Sequence, residues 1–231
     1  MFGLDPLYWL LMAPVLILSL FASLRVKSTY KKYSRVMSSS GMSGADVARE
    51  ILRRNGLAGI AVTETQGFLS DHYDPAKKVV RLSPQNYRGA SVAAIGVAAH
   101  ETGHAIQHAA SYGPLMLRNT MVPIASIGSS FSWIIIFAGF IMGAMGLVKA
   151  GILLFSAVVF FQLVTLPVEF NASSRAKRIL AAQGFLTAGE LAGVNRVLSA
   201  AAMTYVAAAA SSIMTLLYFL VRAGLLGGRD E

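Results

Sequence analysis

Four long apolar stretches alternate with polar segments along this chain of 231 residues. The densest apolar runs lie at 7–24, within 121–147, at 151–168 and at 201–226. Runs of about 17 to 25 residues are long enough to cross the hydrocarbon core of a bilayer as a helix. We therefore predict about four transmembrane helices. The second and third form a tight hairpin, because Lys149 is the one charged residue between them.

The polar segment after the first run has the pattern of a small folded region. Ser43 can cap a short amphipathic helix, and Ser91 can cap a longer helix that continues to about Ala110. Between these helices, 60–65 and 78–82 have the pattern of short strands, separated by a turn-rich segment at 70–75. The predicted fold is a mainly α-helical membrane protein with a small β-hairpin in its cytoplasmic domain.

Composition and charge agree with a membrane protein. Hydrophobic residues make up 55% of the chain and charged residues only 13%, whereas soluble domains usually have about 25% charged residues. Of the 20 Lys and Arg residues, 13 lie within 25–118, and a second basic cluster follows the third apolar run. The positive-inside rule predicts that both segments are cytoplasmic. The net charge of +9 is therefore expected to meet anionic lipids, and no nucleic-acid partner is predicted.

The first apolar run is expected to be a retained anchor. Its leader at 1–6 contains Asp5 and no Lys or Arg, which is the reverse of a signal peptide. Cysteine is absent, so any metal site in this chain has to use other ligands.

The helix predicted after Ser91 carries the most informative motif of the chain. His100, Glu101 and His104 match H-E-x-x-H. Residues four apart lie on one face of a helix, so both imidazoles can reach one metal ion. Zinc lowers the pKa of a bound water from about 15.7 to about 7, and Glu101 is placed to act as its general base. The motif predicts a zinc hydrolase, most often a peptidase, with one Zn²⁺ per chain.

Two histidines leave a zinc ion short of a third protein ligand. His108 is one candidate, but it lies about 12 Å along the helix axis from His100, too far for three histidines of one straight helix to share an ion. The metzincin spacing is also missing, because Gln107 replaces its glycine and Ala110 its third histidine. We predict a helix-surface or supporting position for His108.

Glu169 is the better candidate for the third ligand. It is the only acidic residue between Glu101 and Glu190, and it lies at the end of the third apolar run. A carboxylate beside the bilayer is costly unless it is paired or metal-bound. The alternative is a salt bridge from Glu169 to Arg175 or Lys177.

The motif, together with the segment 166–173 after the predicted hairpin, resembles the gluzincin membrane proteases, a group that includes the HtpX-like and CAAX prenyl proteases. The resemblance is strongest to the YugP-type neutral zinc metallopeptidases, which are small bacterial membrane proteins. It covers nearly the whole chain, including the segment 70–75 and the four-span layout. It implies a metalloendopeptidase of the bacterial cell membrane that cleaves proteins or peptides, with Glu101 as base and His100, His104 and Glu169 as zinc ligands.

Ser173 departs from this resemblance. In the HtpX-like group an aspartate follows the glutamate ligand by four residues and orients a zinc-bound histidine, and Ser173 occupies that position here. A serine on the face of Glu169 can still make one hydrogen bond. Arg175 is a candidate for steadying the site or a substrate carboxylate, with an ordinary positive-inside role as the alternative.

A peptidase also needs a group that stabilises the oxyanion. His72 and Tyr73 are the leading candidates, because they are polar residues in the turn-rich segment, and Tyr205 in the last apolar run is another. For His72, the alternative is a turn-stabilising interaction with Asp71 or Asp74.

The predicted order along the chain has five parts: a transmembrane anchor (1–24), a cytoplasmic metalloprotease region (25–120), a transmembrane hairpin (121–168), a cytoplasmic helix with the third ligand (169–200), and a C-terminal transmembrane helix with its tail (201–231). A site-2-type intramembrane protease is disfavoured, because no aspartate occurs between Asp74 and Asp230. A non-catalytic membrane scaffold or chaperone that keeps zinc for stability is the alternative function. The oligomeric state is not predicted.

Overall fold

The computed structural model describes residues 5–226, so the start of the predicted anchor and the tail at 227–231 lie outside the described residues. The elements, in chain order, are α1 (Pro6–Tyr33), α2 (Gly44–Arg54), β1 (Ala61–Glu64), β2 (His72–Asp74), β3 (Val79–Leu82), α3 (Pro84–Arg88), α4 (Val92–Ala109), α5 (Gly113–Ile141), α6 (Met145–Ala182) and α7 (Ala188–Arg222). The prediction of a mainly helical protein with a small sheet is confirmed.

The four predicted spans correspond to α1, α5, α6 and α7, each long and apolar enough to cross a membrane. All four helices begin before the apolar runs seen in the sequence, α1 and α6 also end after them, and α6 reaches 38 residues. A bilayer core needs only about 20 helical residues, so α6 carries additional turns. Glu169 lies on these additional turns, after the apolar run.

The chain divides into two compact units. The helical unit contains the described residues up to Ala22, together with Leu117–Leu166 and the described residues from Thr204 onward. The α/β unit contains Ser23–Met116 and Pro167–Met203. The H-E-x-x-H motif and Glu169 therefore belong to the same unit.

The helical unit is packed through aromatic and branched side chains. Tyr218 and Phe219 of α7 are buried against Ile136 of α5 and Ile152 of α6. Small residues allow α5 and α6 to approach closely, since a Cβ added to Gly151 would lie 2.6 Å from Ile136 Cγ1. Large apolar side chains point outward, including Leu10, Ile17, Ile134 and Leu153. An outer surface of large apolar side chains fits a unit that is surrounded by lipid.

The sheet of the α/β unit has three strands in the order β1-β3-β2. The two strands predicted from the sequence, β1 and β3, lie side by side and parallel, with Val62 opposite Val80. The small hairpin is formed by β2 and β3, which are antiparallel with Tyr73 opposite Val80. The strand β2 was not predicted, because it is three residues long and lies within the turn-rich segment.

Helix α4 lies between two apolar layers of the α/β unit. Its residues Ala98 and Ala105 pack against α2 and the sheet in one buried cluster. On another face, Ile95 and Ala99 pack against α6 and α7, in a cluster that includes Leu180. Ser91 caps the helix by accepting a hydrogen bond from Ala94 N, as predicted. The motif is thus fixed on a helix held from both sides.

A buried polar network fixes the loop that leads into β2. Asp71 accepts hydrogen bonds from Ser83 N (2.7 Å) and Asn86 Nδ2 (2.9 Å). Tyr30 Oη donates to Asn86 Oδ1 at 2.7 Å. The network joins the end of α1 to α3 and to the loop that leads into β2.

Candidate metal centre

Helix α4 brings the two histidines of the motif together. His100 and His104 are one turn apart, and their Nε2 atoms lie 3.2 Å from each other. Both rings are largely enclosed, with 14% and 10% of their side chains exposed. Two imidazole nitrogens therefore converge on one point at the edge of the helix.

Glu169 of α6 completes a triangle with these nitrogens. Its Oε2 atom lies 3.3 Å from His100 Nε2 and 3.5 Å from His104 Nε2. Tetrahedral zinc has ligand distances of about 2.0–2.1 Å, which place neighbouring ligand atoms about 3.3 Å apart. The three atoms have this spacing, so the donor set fits zinc in size, and two histidines with one carboxylate are a known catalytic set.

Gly103 sets the distance between α4 and α6 at this point. A Cβ at position 103 would lie 2.8 Å from the carbonyl oxygen of Ala172. Because that neighbour is backbone, it cannot move aside as a flexible side chain would. A glycine inside the motif thus allows Glu169 to approach the two histidines.

The Nδ1 atoms of the two histidines have separate partners. Ser173 Oγ lies 3.2 Å from His100 Nδ1, and Gln107 Oε1 lies 3.0 Å from His104 Nδ1. Such partners hold a metal-binding imidazole in orientation and fix which nitrogen carries the proton. The serine that replaces the aspartate of the HtpX-like group is therefore still in contact with a histidine.

Glu101 is buried beside the histidines, with 8% of its surface exposed. Burial raises the pKa of its carboxyl group, and the neighbouring His100 and His104 oppose this effect. A carboxylate whose pKa is raised toward neutrality is a better proton acceptor and donor at neutral pH. Glu101 is therefore a buried carboxyl group in the electrostatic field of the two histidines.

His108 lies outside this group. Its Nδ1 atom is 2.9 Å from Tyr73 Oη, so the two residues join α4 to β2. Burial and the charge of Asp74 raise the pKa of Tyr73, which keeps its hydroxyl protonated. The structure thus gives His108 a supporting contact one turn beyond His104.

The remaining sequence candidates have other contacts. His72 is exposed, and its Nδ1 lies 2.8 Å from the carbonyl oxygen of Ser70. The ring of His72 thus contacts the backbone instead of Asp71 or Asp74. Arg175 Nε donates to Asn171 Oδ1 at 2.7 Å, within α6. Neither residue lies among the three groups that could hold the metal.

Two residues of the site were not found from the sequence. Gln107 and Asn171 are joined by a hydrogen bond of 3.0 Å between α4 and α6. Gln107 is fully buried, although a glutamine on a helix is usually exposed. The signal available in the sequence was its spacing of three from His104, since residues three apart can touch on a helix.

Comparison with known proteins identifies the family of the chain. Residues 8–224 match the family described as "Putative neutral zinc metallopeptidase". The chain belongs to this family. It is also similar to the "Putative membrane protease YugP" of Bacillus subtilis (strain 168), with 52% identity over 214 residues that cover 93% of this chain and 94% of the relative. No solved structure matches the chain significantly. Family membership makes zinc the expected ion and a protease the expected activity.

Proposed function

We propose that this protein is a membrane zinc metalloendopeptidase with one Zn²⁺ held by His100, His104 and Glu169. The observation that carries the proposal is the triangle of 3.2, 3.3 and 3.5 Å between the three donor atoms. Three protein ligands leave a tetrahedral ion one open position, which is typical of catalytic zinc sites, whereas structural sites are closed by four ligands. This difference favours a catalyst over a zinc-stabilised scaffold.

In the proposed reaction, His100, His104 and Glu169 would hold a zinc ion, which would supply the Lewis acidity that activates a water molecule. Glu101 accepts a proton from the attacking water and passes it to the amine that leaves. Burial raises the pKa of Glu101, and the neighbouring His100 and His104 oppose this effect; a bound cation would oppose it further. Ser173 and Gln107 keep the two imidazoles in place during the reaction.

The proposed substrates are extended segments of membrane or unfolded proteins. Strand β2 is one of the two outer strands of the sheet, and its Tyr73 contacts His108 on α4. An outer strand can pair with an extended peptide through main-chain hydrogen bonds. Folded proteins offer few such segments, so the preference is for unstructured ones.

The first test is metal removal from the detergent-purified protein. We expect about one zinc per chain and cleavage of casein that stops with a strong zinc chelator and returns when zinc is added back. A scaffold would hold zinc and cleave nothing under any of these conditions. Cleavage that persists in the zinc-free protein would rule out the proposed mechanism.

We also propose that the site lies on the cytoplasmic side of the bacterial cell membrane. Arg35 and Arg178 are exposed residues of the two basic segments, and Met142 lies between α5 and α6. The chain has no natural cysteine, so single cysteines at these positions can be labelled one at a time. With a membrane-impermeant thiol reagent on intact cells, Met142→Cys should react, and Arg35→Cys and Arg178→Cys should not. The opposite pattern would place the site outside.

A further inference from the structure

We propose that Gln107 is a positioning residue that fixes the proton of His104 on Nδ1 and joins the two helices that carry the zinc ligands. The inference rests on the proposed metal centre. It concerns a side chain that neither the motif nor the family description identifies, and its evidence is a set of three hydrogen bonds around one amide.

Gln107 is fully buried on α4, one turn beyond His104. Its Oε1 lies 3.0 Å from His104 Nδ1. Its Nε2 donates to two groups of α6, the carbonyl oxygen of Val168 at 2.8 Å and Asn171 Oδ1 at 3.0 Å. The amide oxygen of Gln107 therefore contacts α4, and its amide nitrogen contacts α6.

The contacts on α6 fix the orientation of the amide. The carbonyl oxygen of Val168 can only accept a hydrogen bond, so the NH₂ group of Gln107 has to face it. Asn171 Oδ1 also accepts from Arg175 Nε at 2.7 Å, which fixes the orientation of Asn171 in the same way. A flipped Gln107 would place its oxygen against two acceptors in a buried site, where unsatisfied polar groups are costly.

The orientation of the amide in turn fixes the tautomer of His104. An amide oxygen can only accept, so Nδ1 of His104 has to carry the proton. In the neutral ring, Nε2 then carries no proton and can offer its lone pair to a metal; it is the atom that lies 3.2 Å from His100 Nε2 and 3.5 Å from Glu169 Oε2. The backbone of α6 thus determines, through Gln107, which nitrogen of His104 is available to the metal.

The same amide also links the two parts of the ligand set. Val168 immediately precedes Glu169, and Gln107 lies three residues after His104. A shift of α6 relative to α4 would therefore break the hydrogen bond beside one ligand and disturb the orientation of the other. Gln107 acts on the reaction through His104 and Glu169, without touching the substrate.

The test compares Gln107→Met, which removes both functions of the amide, with Gln107→Glu, which keeps an acceptor for His104. Asn86→Leu is the matched control, because Asn86 is also a fully buried amide of the α/β unit but binds Tyr30 and Asp71 instead. Zinc affinity is measured by competition with a chromophoric chelator. We expect Gln107→Met to bind zinc about 10- to 100-fold more weakly, as is typical for loss of a partner of a metal-binding histidine. Gln107→Glu should recover part of the affinity, because it keeps the acceptor for His104 but lacks the N–H groups that bind α6, and Asn86→Leu should retain it.

A second readout does not depend on zinc. Nitrogen NMR of the four histidines, at a pH where the rings are neutral, reports which nitrogen carries the proton, and His104→Ala identifies the signal. We expect His104 of the zinc-free wild type to carry its proton on Nδ1 and Gln107→Met to lose this preference. Unchanged zinc affinity in Gln107→Met, equal losses in Gln107→Met and Gln107→Glu, or a wild-type proton on Nε2 would each overturn the inference. A wild type without stoichiometric zinc would instead overturn the proposed metal centre, and the NMR result would still decide the role of Gln107.

Discussion

Replacing Glu169 with alanine is expected to remove most of the bound zinc and all measurable peptidase activity. Glu169 Oε2 is the only oxygen of the three donor atoms, 3.3 and 3.5 Å from the two histidine nitrogens. Loss of a direct ligand should cost more affinity than the 10- to 100-fold that is typical for loss of an outer partner. The measurement is zinc content after purification, followed by zinc affinity from chelator competition.

Glu64→Ala is the control for this experiment. Glu64 is a carboxylate of the same unit that pairs with an exposed Arg88 at 2.8 Å, and surface pairs of this kind contribute at most about 1 kcal/mol. This variant should keep its zinc and its activity. If Glu169→Ala also kept about one zinc per chain with unchanged affinity, the third ligand would have to be another residue, and Glu169 would be only an ion-pair partner of the histidines.

Replacing Glu101 with glutamine is expected to leave zinc binding unchanged and to lower kcat by about 10²–10⁴-fold, the usual contribution of general acid–base catalysis. Glutamine keeps the size of the side chain but cannot accept the proton of the attacking water. Burial raises the pKa of Glu101, which means that the folded protein disfavours the charge. The neutral variant should therefore be at least as stable as the wild type when both are zinc-free, and thermal unfolding checks this.

His108→Ala is the comparison variant for Glu101→Gln. His108 binds Tyr73 and lies outside the ligand triangle, so its loss should leave one zinc per chain and most of kcat. A Glu101→Gln variant that cleaves at the wild-type rate would assign the base to another group. Zinc loss in His108→Ala would show that the helix bends enough to bring a third histidine to the ion.

The sequence predicts which helices and strands form better than it predicts which of them pair with each other. The four apolar runs and the cap at Ser91 depend on local patterns, and the structure contains the corresponding helices. The pairing of β1 with β3 depends on contacts between distant segments, and β2 is too short to stand out within a turn-rich segment. The hairpin was therefore expected between the wrong pair of strands.

The same distinction holds at the candidate site. His100, Glu101 and His104 follow from a local motif, and Glu169 follows from the cost of a lone carboxylate near the membrane. Gln107 could not be found in this way, because its importance comes from an acceptor on Val168, 61 residues away along the chain. Polar residues whose partners lie on another helix look like surface residues in a sequence.

The most direct test of the metal centre is X-ray absorption at the zinc edge of the purified wild-type protein. The account predicts about one zinc per chain, bound only by nitrogen and oxygen at about 2.0–2.1 Å, with outer-shell scattering from two imidazole rings. Scattering from three imidazole rings would show that a third histidine binds the ion in place of Glu169. The absence of stoichiometric zinc from an otherwise folded, peptide-cleaving protein would contradict the account altogether.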